Sequence, residues 1–376
     1  MSMEATSFTD ENDLLPYLRW VVQARGSDLF LTVGAPPSVK IQGVMQPMNL
    51  PPLSSGGVKS LAYSVMSPVQ ISEFERTLEC DLATGFEGLG RFRFNLYMQR
   101  GEVALVARYI TTEIPTLDEL ILPPILKELA MLKRGLVLIV GAAGSGKSTT
   151  LAAMIDHRNS IATGHVLTVE DPIEFVHRHK KSLVDQREVG LDTRSFEDAL
   201  CHAMREAPDV IMIGEIRDRL TMQQAITYAE TGHLCLSTLH ANNANQAIDR
   251  VLNLFPEDAR RQALLDLSLN LRAVVGQRLI QGVSGKLVPA VEVMLQSPHI
   301  SDLILKGEID QLKPAMAKSN ELGMQTFDQS LYNLYVAGKI TLEQAIENAD
   351  SKTDLALHVR LTTSSTPDTS GMQMKS

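Results

Sequence analysis

The sequence predicts an α/β protein, a parallel sheet covered by helices on both faces, preceded by a smaller α+β domain. Three observations carry this prediction. Beyond residue 118, continuously apolar runs such as "GLVLIV" and "DVIMIG" alternate with helical stretches, as strands buried on both faces do. Before residue 110, apolar and polar residues alternate singly, the pattern of half-buried antiparallel strands. The 376 residues also exceed one ordinary core and suit two.

The elements follow in order. In "DLLPYLRWVVQARGS", Leu14, Leu15, Leu18, Val21 and Val22 fall at helical spacing, with Gly26 as a stop. "DLFLTVG" and "SVKIQGVM" read as strands separated by the turn-forming "GAPP". Two short helices, near Val58–Met66 and Val69–Thr77, precede an antiparallel meander of "CDLATGF", "RFRFNLYMQ" and "GEVALVARYI". This N-terminal domain spans 1–110, and the aperiodic "TTEIPTL" at 111–117 is the expected linker. Strands then alternate with helices: "GLVLIV", a helix from Lys147, "HVLTVED", a helix capped by Ser195, "DVIMIGE", "TMQQAITYAETG" and "HLCLSTL". The core is expected over 118–285 and its C-terminal, mainly helical part over 286–355, the chain from about 245 to 350 reading as mainly helical with "KLVPAVEVM" as one further strand; the polar end, 356–376, is expected to be disordered.

Composition narrows the classes. The acidic, polar start and the shortness of every apolar run fall far below the roughly 20 residues a membrane span needs. A cytoplasmic protein without membrane insertion is expected. Net charge is −9 with both signs interspersed, so no generic attraction to nucleic acid is expected. Three scattered cysteines, Cys80, Cys201 and Cys235, argue against a disulfide framework and for a reducing compartment, and no CxxC pair is present for a zinc ribbon.

The chemistry begins at "GAAGSGKST", which follows an apolar strand and opens a helix. It matches GxxxxGK[ST] in the strand–loop–helix setting that a phosphate-binding loop requires. Gly141, Gly144 and Gly146 let the backbone turn N–H groups toward phosphate oxygens, with Ser145 between them, and the new helix adds its positive end. Lys147 reaches the β and γ phosphates, and Ser148, followed by Thr149, offers its hydroxyl to Mg²⁺. ATP and Mg²⁺ are the cofactors expected. Acids should lie at the carboxyl ends of neighbouring strands. "VLTVEDPIEF" supplies Glu170, Asp171 and Glu174; "DVIMIGEIRD" supplies Glu215, with Gly214 where a Walker B aspartate is usual. Arg217 and Asp218 read as a local salt bridge.

"TGHLCLSTLHANNA" carries two histidines, His233 before a strand and His240 after it. Seven extended residues span roughly 23 Å, so the pair cannot share one metal ion. His240 falls at the phosphate-loop end of the sheet, where imidazole can hydrogen-bond a phosphate oxygen. His233 falls at the opposite edge, as a turn or subunit contact.

A phosphate loop, then "TVEDPIEF", "GEIRD" and "TGHLCLSTLH", in that order, resembles the Walker A, Asp box, Walker B and His box of the secretion ATPase superfamily. "LVDQREVG", "AMREAPDVIMIGEIRD", "AETGHL" and "AIDRVLNLFP" resemble segments of its type IV pilus retraction ATPases, the PilT/PilU family, over about residues 15 to 350. The resemblance implies a PAS-like N-terminal domain, a RecA-like ATPase domain and a homo-hexameric ring. By carry-over, Glu174 polarises the attacking water, Glu215 works on Mg²⁺ and its waters, and His240 senses the γ-phosphate. Arginines from a neighbouring subunit's N-terminal domain complete the family's site. The candidates are Arg91, Arg93, Arg100 and Arg108, whose planar forks suit developing phosphoryl charge.

Members of the family that drive assembly or type II secretion are longer and usually carry a four-cysteine zinc site, which this chain lacks. Where the PilT pattern has two arginines in a C-terminal helix, "PHISDLILKGEID" keeps the apolar spacing of Ile300, Leu303 and Ile304 without them. That departure points to the PilU-type branch, associated with assisting a PilT-like paralogue. The implied partners are that paralogue and an inner-membrane platform protein, reached from the cytoplasmic face. Two alternatives remain open. A nucleic-acid translocase predicts ATPase stimulation by DNA or RNA; an ATP-binding scaffold for another pilus motor predicts that hydrolysis is dispensable.

Overall fold

The computed structural model describes residues 13–41, 43–111 and 113–364. They divide into two units: Met1–Glu113 with Ile173–Val176, and Ile114–Pro172 with His177–Ser376.

The first unit runs α1 (Leu15–Gln23), β1 (Asp28–Leu31), β2 (Ser38–Ile41), β3 (Val44–Pro47), α2 (Gly57–Tyr63), α3 (Pro68–Thr77), β4 (Glu79–Phe86), β5 (Gly90–Gln99) and β6 (Glu102–Ile110). Its six strands form one antiparallel sheet, ordered β3-β2-β1-β6-β5-β4. Alternation puts Phe92, Phe94 and Leu96 of β5 into the core with Leu18, Val21 and Phe74 of the helices. The helix α3 starts where Pro68 follows Ser67, whose side chain caps the N–H of Gln70 while the Gln70 amide returns the bond.

The second unit continues with α4 (Ile125–Ala130), β7 (Gly135–Val140), α5 (Lys147–Ile161), β8 (Gly164–Glu170), β9 (Ser182–Glu188), α6 (Phe196–Ala203), β10 (Val210–Ile213), α7 (Arg219–Glu230), β11 (Leu234–Leu239), α8 (Ala244–Leu254), α9 (Glu257–Asn270), β12 (Leu271–Gln281) and β13 (Leu287–Leu295). Five helices close it: α10 (Pro298–Lys306), α11 (Leu312–Ala317), α12 (Phe327–Val336), α13 (Leu342–Asn348) and α14 (Lys352–Ser364). The sheet is ordered β13-β12-β7-β11-β10-β8-β9 and is parallel except for β13. Every residue of β7 and β11 is buried, because helices cover both faces. This is the expected α/β architecture.

Three features differ from the sequence reading. The stretch from 245 onward, read as mainly helical with one strand, contains β12 as well, parallel to β7 and antiparallel to β13. "RAVVGQRLI" is continuously apolar apart from three polar side chains, and such a run does not distinguish a buried strand from a buried helix. The sheet therefore runs past 285, to Leu295. An edge strand, β9, also joins β8, although its alternating "SLVDQRE" is too polar to stand out.

The third difference is at the end. Residues 356–364 of the expected disordered tail are helical, since Leu355 and Val359, one turn apart, are buried and His358 packs edge-on against Tyr332 at 4.5 Å. The remainder, 365–376, and residue 112 of the expected linker lie outside the described residues. Leu355 joins a cluster with Phe327, Leu331 and Ile340. Leu355→Ala is expected to cost about 2–3 kcal/mol, read by urea unfolding; an unchanged midpoint would remove α14 from the packed core.

Among the described residues, no helix is long and apolar enough to cross a membrane. All three cysteines are free thiols, and burial in β11 pushes that of Cys235 up to about 12. On α10, Ile300, Leu303 and Ile304 are buried, so the surviving apolar spacing there is packing.

Candidate functional site

Parallel strands bring their carboxyl ends to one edge, and the second unit collects its chemistry there. Gly141 follows β7, Glu170 ends β8, Glu215 follows β10 and His240 follows β11. Since β11 lies between β7 and β10, the histidine arrives between the glycine-rich loop and the acid.

The loop joins β7 to α5. Gly144 and Gly146 have φ of +75° and +88°, the left-handed region that a side chain disfavours. The Nζ of Lys147, the first residue of α5, donates to the carbonyls of Gly141 at 3.0 Å and Ala142 at 2.9 Å. The Ser145 hydroxyl is buried and has no hydrogen-bond partner among the described residues. Ser148 and Thr149 lie in the first turn of the helix. A groove of about 330 Å³ opens beside the loop, lined by Gly141 and Ala142, by His240 and Asn242, and by Gln246 and Arg250 of α8.

The charged groups form one network. Glu215 accepts from Arg217 Nε at 2.6 Å, and its other oxygen lies 2.8 Å from His240 Nε2. Arg217 Nη1 also donates to Asp171 at 3.3 Å. The guanidinium pKa is raised, first by its bond to Glu215. The local pair expected between Arg217 and Asp218 does not form. Asp218 instead caps α7, its carboxylate accepting the N–H of Thr221 at 2.8 Å.

Glu170 is buried and accepts from Thr168 Oγ1 at 2.7 Å and Gln186 Nε2 at 3.0 Å. Gln186 accepts in turn from the N–H of His177 at 2.8 Å, so one amide from β9 ties both ends of the segment 170–177. Burial holds the His177 imidazole neutral, with its pKa down to about 4. Glu174 lies inside that segment, is exposed, and belongs to the stretch grouped with the first unit. His233 precedes β11, where its Nδ1 lies 3.2 Å from Thr231 Oγ1 and 3.3 Å from the Tyr228 carbonyl, a turn contact.

Of the arginine candidates in the first unit, Arg93 and Arg108 face each other across β5 and β6, and Arg91 shares their face two residues along. Arg108 donates to the buried Asp28 at 2.7 Å. Arg100 stands apart, in the turn between the two strands. Sequence reasoning missed Gln186; the one signal was a polar amide inside an alternating, strand-forming run.

A parallel sheet with its first strand opening into a phosphate loop, and an acid and a histidine delivered by the two strands beyond, is the architecture of a RecA-like P-loop ATPase. The particular family follows from sequence: the profile described as Type II/IV secretion system protein matches residues 122–357, and the chain belongs to that family. It is 53% identical to the "Type IV pilus ATPase PilU" of Pseudomonas aeruginosa, over 93% of this chain and 92% of that one. The "Type IV pilus retractation ATPase PilT" of the same organism is 42% identical, over 90% and 98%. Among solved structures, the "Pilus Retraction Motor PilT and Bound ADP" superposes with a TM-score of 0.86 at 42% identity, covering 92% of this chain and 99% of that one.

Proposed function

We propose that this chain is a Mg²⁺-dependent hexameric motor that drives type IV pilus retraction, and that it is the accessory, PilU-type motor of a pair. The observation that carries the reading is the difference between 53% identity to PilU and 42% to PilT, each over at least 90% of the chain. The loss of both arginines from "PHISDLILKGEID" supports the same branch. An inner-membrane platform protein, met at its cytoplasmic face, and a PilT-like paralogue are the partners this reading requires.

The residues fit nucleotide and metal. The buried, unpartnered Ser145 hydroxyl and the side-chain-free turn at Gly144 and Gly146 suit a phosphate group. No cluster of three or more His, Cys, Asp or Glu fit for a metal is found among the described residues. Mg²⁺ needs none, since it is held by one or two protein oxygens together with substrate phosphates and water. When bound, it draws charge from the β and γ phosphates.

In this reading Lys147 exchanges its bonds to the loop carbonyls for phosphate oxygens. The Ser148 hydroxyl and Glu215 would hold the metal. His240, already against Glu215, reports the γ-phosphate to the acid. By this reading Glu174 orients the attacking water, and Glu170 and Asp171 are further carboxylates at the end of β8. Three arginines on one face of β5 and β6 are the candidates to reach a neighbouring subunit's nucleotide, with Arg108 the least available because it neutralises Asp28. Catalysis is then positioning and charge stabilisation, with no covalent step on the protein.

The test is a deletion strain, alone and combined with loss of the PilT-like paralogue. Reduced twitching with surface pili retained or in excess is expected; absent pili would point to assembly and overturn retraction. Complementation with Glu174→Gln should fail if the chain is a motor. Full restoration would favour the scaffold.

A further inference from the structure

We propose that Gln277 is a positioning residue for the nucleotide loop: a side chain of β12 on which both ends of that loop are seated. Gln277 is buried in a strand whose neighbours Val274, Val275 and Ile280 are apolar. A primary amide in such a place is costly unless hydrogen-bonded. Its Oε1 accepts from the hydroxyl of Thr150 at 2.7 Å, and both groups are buried. Thr150 lies in the first turn of α5, three residues beyond Lys147. A threonine hydroxyl within a helix ordinarily returns to a carbonyl of the preceding turn; this one instead crosses to the sheet.

The same residue meets the loop itself. A Cβ on Gly146 would lie 2.8 Å from Gln277 Nε2, and one on Gly141 would lie 2.5 Å from the Gln277 carbonyl oxygen. The loop thus begins against the main chain of Gln277 and ends against its amide. Glycine at these two positions is required by β12 as well as by the turn. The support is itself braced: Arg278, the next residue, pairs with Asp350 at 2.7 Å, donates to the Asn348 carbonyl at 3.0 Å and stacks 3.8 Å over the Phe327 ring. A strand pinned on one side and bonded to α5 on the other sets the height at which the loop presents its N–H groups. Binding sites gain precision when rigid elements fix them in this way.

The experiment measures Mg-ATP affinity, KM, kcat and melting temperature for Thr150→Val, Gln277→Met and the double variant. Each single change leaves one buried polar group unpaired, and about a ten-fold rise in Kd and KM is expected. The double variant should bind no worse than the weaker single one, because both remove the same bond. Thr150→Ser, which keeps the hydroxyl, should bind like the unaltered chain.

Gln277→Glu adds a second readout. The neutral acid matches the amide in shape, so ATP affinity should fall as pH rises through its titration and charge approaches the phosphates. The unaltered chain should not show that step. Lowered melting temperatures with unchanged Kd and KM, additive losses in the double variant, or a flat pH profile for Gln277→Glu would each overturn the proposal. An unaltered chain that binds no nucleotide would overturn the ATPase reading as well, a distinguishable failure.

Discussion

Glu215→Gln is expected to lower ATP turnover by about two to three orders of magnitude, the usual cost of losing one preorganised charge-stabilising group, with nucleotide still bound. The carboxylate is the shared acceptor of the network, with Arg217 on one oxygen and His240 on the other. An amide has only one oxygen. Its NH₂ must face either the guanidinium or the imidazole, and against Arg217 that contact is donor to donor. The variant therefore loses the negative charge that Arg217 and His240 share. Folding stability should change little, because Arg217 is 58% exposed and such pairs contribute little. Affinity for Mg-ATP should stay within about three-fold, since the lost interaction acts mainly in the transition state. Steady-state hydrolysis beside equilibrium binding of a labelled nucleotide separates the two effects. Turnover within ten-fold of the unaltered chain would remove Glu215 from the catalytic set.

Glu292→Gln is expected to stabilise the protein above neutral pH and leave it unchanged near pH 4.5. Glu292 is 2% exposed on β13, where it accepts the N–H of Ala244 at 2.7 Å at the start of α8, the helix that follows His240. Burial raises its pKa from 4.5 to about 7, against the opposing Ala244 bond and the cations Lys313 and Arg278, and with a push from Asp350. The folded state thus holds a proton that the unfolded chain has released. Between about 4.5 and about 7 the native form binds more protons, so stability falls as pH rises through that interval and stays lower above it. Glutamine keeps the acceptor for Ala244 and cannot ionise. A gain of about 3 kcal/mol at pH 8 follows from the size of the shift. Urea unfolding at pH 5 and pH 8 checks it, and parallel pH profiles for the two proteins would refute the assignment.

The residues legible in the sequence were those whose meaning is local. The loop from Gly141 to Thr149 is one contiguous motif, so its glycines, lysine and hydroxyls could be assigned without knowing the sheet. Glu215 and His240 were legible as strand ends, though not as partners; that contact needs β10 and β11 to be neighbours. Arg217 was assigned to adjacent Asp218 because adjacency is all a sequence offers. The helix claimed Asp218 as its cap, and the strand order gave Arg217 to Glu215 and Asp171.

The chain's own sequence therefore determined the α/β class and the groups available to a phosphate. Each follows from periodicity or from spacing within a few residues. The tertiary structure alone decided which of those groups meet. It inserted β12 beside β7, brought Gln277 under the loop and Gln186 against Glu170, and folded residues 356–364 into a helix. The physical reason is that a buried amide or carboxylate is specified by what it must bond to, and those partners are brought together by burial of strands far apart in the chain.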